Sequence, residues 1–313
     1  MRILYLPLLY LGQNNEQKYL EAAFRRAGHY VEVFDYLNTP DADEVFLSKV
    51  DELKPEVIHC QFQGTNALRP ASLGKAKMIC SPIITQWTGD VRNDPPYIPE
   101  YIEYGKYCDL NLVCNVTDID TYINEGLKNV YYWQNAIAVP EQIGEPAGNA
   151  RGIIFCGGNY ERFNQSEERR NLIAAFRQEF GDLFQVYGSG WEPSQSLPWD
   201  EQTNSYARSY LILGHNNVGG KEWWFSDRQL IAMGSGRPHL AQWSTAIEDL
   251  FIEGVECCFY KTIGEAIDKA KWLLENPDAA ARIGLRGQER VMREHSFDVR
   301  VKQYEYILEH YND

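Results

Sequence analysis

The sequence predicts an α/β protein made of two doubly wound units in tandem. Three observations predict it. Short apolar runs rich in β-branched and aromatic residues alternate with segments of helical period, glycines follow several of the helical segments, and the alternation breaks once, over residues 138–149, before it restarts. Repeated β-α alternation implies a mostly parallel sheet covered by helices on both faces. At 313 residues the chain has room for two domains of about 150 residues each.

The elements follow in order. The opening Met1–Leu9 resembles a secretion signal at first sight, but Pro7 interrupts it and polar Gln13, Asn14 and Asn15 follow without a small-residue cleavage pattern, so it reads as a first strand. Strands are expected at Ile3–Leu8, Val31–Asp35, Val57–Phe62, Ile83–Trp87, Leu110–Cys114 and Val130–Trp133. Between the first two, Leu20, Ala23, Phe24 and Ala27 recur at helical spacing, and Gly28 supplies the stop. The stretch 139–150, rich in Pro and Gly and without a period, reads as a linker. Strands resume at Gly152–Cys156, Phe184–Tyr187, Tyr210–Leu213, His239–Ala241 and Cys257–Tyr260, and a helix is expected over Glu168–Glu179. Ile263, Ala266, Ile267, Ala270, Leu273 and Leu274 form one apolar stripe, which is core packing. A last helix is expected over Val299–His310.

Composition excludes several classes. Thirty Lys and Arg against 44 Asp and Glu leave a formal charge of −14, which repels a polyphosphate backbone and argues against nucleic acid as a general partner. No run approaches the roughly 18–20 apolar residues of a membrane span. The seven cysteines include no C-x-x-C pair and several lie in strand-like runs, as expected of reduced core residues in a cytoplasmic protein. Adjacent Cys257 and Cys258 would point to opposite faces of a strand. Two Asp-x-Asp tripeptides, Asp41–Asp43 and Asp118–Asp120, suggest a metal-held diphosphate, but both sit beside expected helix starts, where aspartate is favoured for local reasons. The six histidines show no ligand spacing, so no metal site is expected.

The segment Phe225–Pro238 carries the strongest chemical signal. Ser226 is placed to cap a helix, whose first free N–H groups favour an anion, and the helix should stop at Gly234, Ser235 and Gly236. Arg228 in the first turn opposes the helix dipole, which makes better sense for a residue that contacts an anion. Upstream, Gly219 and Gly220 give a mobile loop in which Lys221 adds a cation. Gly157, Gly158 and Asn159 follow a strand end, where glycines permit close approach of a ligand, and Arg162 is near enough in sequence to reach a diphosphate. Arg169 and Arg170 could reach it too, but read at least as well as a solvated helix face balanced by Glu167 and Glu168. Tyr187, Gly188 and Trp191 form a turn with aromatic neighbours on which a base could rest.

These residues resemble a known family. From Gly152 to Tyr311 the chain is similar to the C-terminal domain of GT-B glycosyltransferases, most of all to the CgeB type and its glycosyltransferase family 1 relatives. The resemblance is carried by Phe155–Asn159, Val186–Trp191, Ser226–Arg228, Ala232–Pro238, Glu248–Phe251 and Glu294–Phe297. Residues 1–138 resemble the acceptor-side domain more loosely.

The family implies two Rossmann-like domains, an acceptor-side one over 1–138 joined by the C-terminal helix 299–313, and a nucleotide-sugar-binding one over 151–298. It implies sugar transfer from a nucleotide sugar, as co-substrate, to a hydroxyl of a glycan, small molecule or modified biopolymer, with retention and with no metal or other cofactor required. Gly157, Gly158, Asn159, Arg162, Tyr187, Gly188, Trp191, Gly220, Ser226, Asp227 and Glu248 would hold the donor. One departure stands out: many relatives carry Glu-Ala where this chain has Ile231 and Ala232, so the glutamate expected on the ribose is replaced, and Glu248 matches the later acidic position.

Asp90, in the strand-end loop that also holds Arg92, is the candidate base, kept ionised by that arginine. Lys221 and Arg228 would stabilise the departing diphosphate. Gly12, in the first strand-helix loop, and Arg92 would line the acceptor side. Two rival readings stand beside it: a nucleotide-sugar epimerase on the same fold, and a two-domain binding protein without turnover.

Overall fold

The computed structural model describes residues 1–8, 16–62, 67–193, 196–198 and 201–311. It divides into two compact units, Met1–Gln134 with Phe297–Asp313, and Asn135–Ser296.

In the first unit six parallel strands, β1 (Arg2–Leu6), β2 (Tyr30–Val33), β3 (Val57–Cys60), β4 (Ile83–Thr88), β5 (Leu110–Val113) and β6 (Val130–Tyr132), lie in the order β2-β1-β3-β4-β5-β6. Helices α1 (Glu16–Arg26), α2 (Ala42–Leu53), α3 (Pro70–Cys80), α4 (Pro99–Gly105) and α5 (Thr117–Asn124) connect them. Gly28 stops α1 as its sequence position implied. Its φ is +89°, its N–H reaches the Arg25 carbonyl at 3.0 Å, and the His29 N–H reaches Phe24 at 3.1 Å. This paired closure needs a left-handed residue, which glycine adopts without steric cost.

Every residue of β3 is buried, including His59. A polar group there must be satisfied. His59 Nδ1 pairs with Thr85 Oγ1 at 2.8 Å, and Thr85 in turn meets the Tyr304 hydroxyl at 2.7 Å, while His59 Nε2 has no hydrogen-bond partner among the described residues. Tyr304 belongs to the last helix, α11 (Phe297–His310), which packs on α1 within this unit and adds an Arg26–Asp298 pair at 2.9 Å.

The second unit holds β7 (Ile153–Cys156), β8 (Phe184–Tyr187), β9 (Leu211–Gly214), β10 (His239–Gln242) and β11 (Cys258–Tyr260), all parallel, in the order β11-β10-β9-β7-β8. Its helices are α6 (Ser166–Phe180), α7 (Gln202–Arg208), α8 (Asp227–Gly234), α9 (Ile263–Glu275) and α10 (Pro277–Glu294). The predicted α9 stripe faces the sheet, with Ala266, Ala270 and Leu273 fully buried. A reciprocal cap starts this helix: Thr262 accepts from the Glu265 N–H at 3.2 Å, and Glu265 accepts from the Lys261 N–H at 2.8 Å. Cys257, just before β11, and Cys258, its first residue, enter different core clusters.

The aperiodic 139–150 stretch is no free tether. Gly144 donates to the Gly234 carbonyl at 2.9 Å, Ala147 to Ala207 at 3.0 Å, and Gln288 reaches the Gly144 carbonyl at 2.7 Å. Proline and glycine erase its periodicity, yet its backbone groups still find partners on α7, α8 and α10. The Asp-x-Asp pairs are likewise occupied locally. Asp43 accepts from Arg69 Nε at 2.7 Å and from Ser72, and Asp118 accepts from Asn115 Nδ2 at 2.8 Å. Among the described residues no three His, Cys, Asp or Glu side chains are grouped to hold a metal, and no helix is long and apolar enough to cross a membrane.

Candidate functional site

The strand order of the second unit places β7 next to β9 while the chain turns the other way to β8. Sheets of this order open a crevice at that switch point, beyond the carboxyl ends of the strands. The loops around it are built with little slack. The Gly157 N–H donates to the Tyr187 carbonyl at 2.8 Å, the Asn159 N–H to Ser189 at 2.8 Å, and Asn159 Nδ2 to Gly190 at 3.0 Å. Gly188 makes this zipper possible: its φ is +137°, and a Cβ there would lie 2.3 Å from the Gly157 oxygen.

Trp191 closes the zipper from behind. Its indole N–H donates to the Gly157 carbonyl at 2.7 Å, and the buried ring meets Phe155 edge-on at 6.3 Å. It therefore braces the loop and is not an open platform for a base. Tyr187 is half-buried at the end of β8, its hydroxyl bonded to Gln185 at 3.2 Å. Arg162 is exposed and lies over the rings of Phe163 (4.9 Å) and Tyr160 (5.9 Å).

Between β7, β9, β10 and the start of α8 lies a small pocket, lined among others by His215, Ser226, Arg228, Gln229, His239 and Gln242. Ser226 holds the N-cap position in extended backbone, and its carbonyl accepts from Gln229 N–H at 2.9 Å. Its side chain makes no capping bond, contrary to the capping role expected of it, and the hydroxyl lines the pocket instead. An uncapped first turn leaves amide N–H groups for an anion. Arg228, half-buried, forms no ion pair among the described residues. Three buried polar atoms of the lining lack partners: Gln229 Nε2, His215 Nε2 and His239 Nδ1.

The electrostatics are one-sided. His215 is pushed down to about 3, first by burial and then by the Arg169 charge, and His239 to about 4 by burial, so both rings are neutral at pH 7. Arg169 lies behind them, 1 % exposed, donating to the Gly158 carbonyl at 2.9 Å and to that of His215. Of the two readings open for it, the solvated face is incorrect. Ser166, Arg169, Leu172, Ile173 and Phe176 share the buried side of α6, a spacing that the neighbouring glutamates mask in sequence.

Other residues expected at the site stand elsewhere. Lys221 is buried and Glu248 is exposed, and neither lines this pocket. Glu248 accepts from Trp243 Nε1 at 2.5 Å, and Lys261 covers the Trp243 ring at 4.2 Å. The loop of Gly219 and Gly220 is pinned, with the Gly219 N–H on Asn164 at 3.2 Å and Trp223 on Thr245 (3.0 Å) and Asp249 (3.1 Å). Asp227 opens α8 beside Arg228. Ile231 is buried against Ile154, Cys156, Tyr206 and Ile212. In the first unit Asp90 is exposed after β4, with its N–H on Thr88 Oγ1 at 3.2 Å. Gly12 lies outside the described residues. Sequence reasoning missed Gln229, His239 and Tyr206 as pocket-lining groups.

Residues 167–306 match a family model described as glycosyl transferase-like. Among solved structures, HepE of Anabaena in complex with UDP and glucose superposes with a TM-score of 0.68 at 12 % identity, covering 99 % of each chain. A glycosyltransferase of Rickettsia africae gives 0.66 at 10 % identity over 100 % of this chain and 98 % of that one. Sucrose-phosphate synthase of Thermosynechococcus elongatus gives 0.63 at 11 % over 99 % and 98 %. No curated protein matches the sequence. The chain thus has the α/β architecture of two Rossmann-like domains, the GT-B fold, and contains a glycosyltransferase-like domain.

Proposed function

We propose that this chain is a glycosyltransferase that moves a sugar from a nucleotide-sugar donor to a hydroxyl acceptor. One observation carries the reading: a pocket at the β7/β9 switch point where the uncapped start of α8 and unpaired Arg228 meet, its lining, Cys156 apart, inside the segment that matches the glycosyl transferase-like model. Such a site suits the diphosphate of a nucleotide sugar. The UDP held by HepE makes UDP the first nucleotide to try.

In the reaction the bond from the anomeric carbon to the diphosphate oxygen breaks, and a bond to the acceptor oxygen forms. The acceptor proton passes to a base, for which Asp90 is the candidate. Arg228 and the α8 amides, with Lys221 adding positive charge, take up the charge of the leaving group, so that no metal is required for it. Retention, kinship with the CgeB type, and Glu248 as ribose contact belong to the same reading. A cytoplasmic location accords with seven unpaired cysteines, six of them buried.

A thermal-shift panel of nucleotides and nucleotide sugars tests it, followed by donor-consumption assays with and without hydroxyl acceptors. UDP or a UDP-sugar should raise the melting temperature, and donor should be consumed faster with an acceptor. A panel in which no nucleotide stabilises the chain sinks the reading. Conversion of the donor into an epimer without acceptor would replace transfer by epimerisation.

A further inference from the structure

We propose that Arg169 is a positioning residue for the anionic ligand of the β7/β9 pocket. It fixes the Gly158 and His215 carbonyls, and it supplies a buried positive charge that the ligand's phosphates, rather than a protein carboxylate, neutralise. The inference rests on the donor reading above and deepens it.

Arg169 is the largest of the fully buried side chains. Burying a guanidinium is costly unless an acid pairs with it. None does among the described residues: Glu167 is exposed, Glu168 is half-exposed, and neither forms an ion pair with it. The charge is met only by two carbonyl oxygens and by the Phe155 ring at 5.6 Å, and Nε has no partner.

The nearest charge of consequence is of the same sign. Burial first, and then the Arg228 charge, lowers the Arg169 pKa to about 9. A neutral amide would serve for a cross-link between two loops. A cation sited beside a second unpaired cation makes sense when an anion completes the group. Arg169 does not line the pocket. It acts through the two loops it joins, one after β7 and one after β9, and through its field.

The test is calorimetric titration of the whole chain as wild type, Arg169→Lys and Arg169→Met, with UDP, inorganic pyrophosphate and uridine as probes. Arg169→Met should weaken UDP and pyrophosphate about tenfold or more and leave uridine unchanged, while Lys, with the charge but not the fork, recovers part. An equal loss for uridine and UDP would make Arg169 merely structural and overturn the inference. UDP bound alike by wild type and Arg169→Met would overturn it too, with the donor reading intact. Arg169-dependent binding of pyrophosphate without binding of UDP would keep the inference and sink the donor reading. Neither probe binding the wild type would sink both. If Arg169→Met does not fold, Arg169→Gln replaces it, and Lys must bind pyrophosphate more tightly than Gln.

Discussion

The indole N–H of Trp191 is donated to the carbonyl of Gly157 across 2.7 Å, joining the loop after β8 to the loop after β7. That bond holds one wall of the crevice from inside the core. Trp191→Phe keeps most of the apolar volume and leaves the Gly157 oxygen without this donor. The expected cost is about 1–2 kcal/mol in urea denaturation, with faster amide exchange confined to the 157–159 and 187–191 loops.

Gly188→Ala acts on the same zipper more severely. A methyl group 2.3 Å from the Gly157 oxygen cannot be accommodated without moving backbone, and the φ of +137° is already unfavourable for alanine. The loss should be roughly 2–4 kcal/mol, read as a lower denaturation midpoint. An unchanged midpoint would show that the two loops do not approach this closely.

Arg228→Gln removes the unpaired cation at the start of α8. Under the donor reading it weakens UDP binding by about 1.5–3 kcal/mol, the range of hydrogen bonds to charged groups. The dependence of affinity on salt should become shallower. Stability without ligand should hold or rise slightly, because a positive charge leaves the positive end of a helix.

Asp90→Asn tests the proposed base separately from the donor site. Transfer turnover should fall by a factor of about 100 or more, and the affinity for UDP should stay the same. Full turnover in this variant would remove Asp90 from the mechanism and leave the fold and donor assignments untouched.

Acid should destabilise the protein through its buried histidines. His59, His215 and His239 are lowered from 6.5 to about 3, 3 and 4, mainly because burial disfavours the charged ring. Below pH 6.5 the unfolded chain takes up these protons and the folded chain does not. Stability is therefore complete above about pH 6.5 and falls as the pH drops toward about 4. Each ring contributes a slope of about 1.4 kcal/mol per pH unit, so the three approach about 4 in the steep region. Urea midpoints measured from about pH 7.5 down to about pH 4.5 check this, and a flat profile would contradict the burial of these rings as neutral groups.

The sequence by itself determined the alternation of strands and helices and the class of fold. These signals are local: β1 to β11 announce themselves as short apolar runs, α9 by its stripe, and the end of α1 by Gly28, whose left-handed backbone closes the helix. Part of the pocket was legible for the same reason, since Ser226 and Arg228 sit at a recognisable helix start. Tertiary structure alone decided that β7 lies beside β9, which opens the crevice there and brings Gln229 and His239 to it. It also decided that Glu248 turns to Trp243, and that Arg169, among glutamates that suggest a wet surface, faces the core. Strand order and the burial of a charge depend on partners tens of residues away, and no local period encodes them.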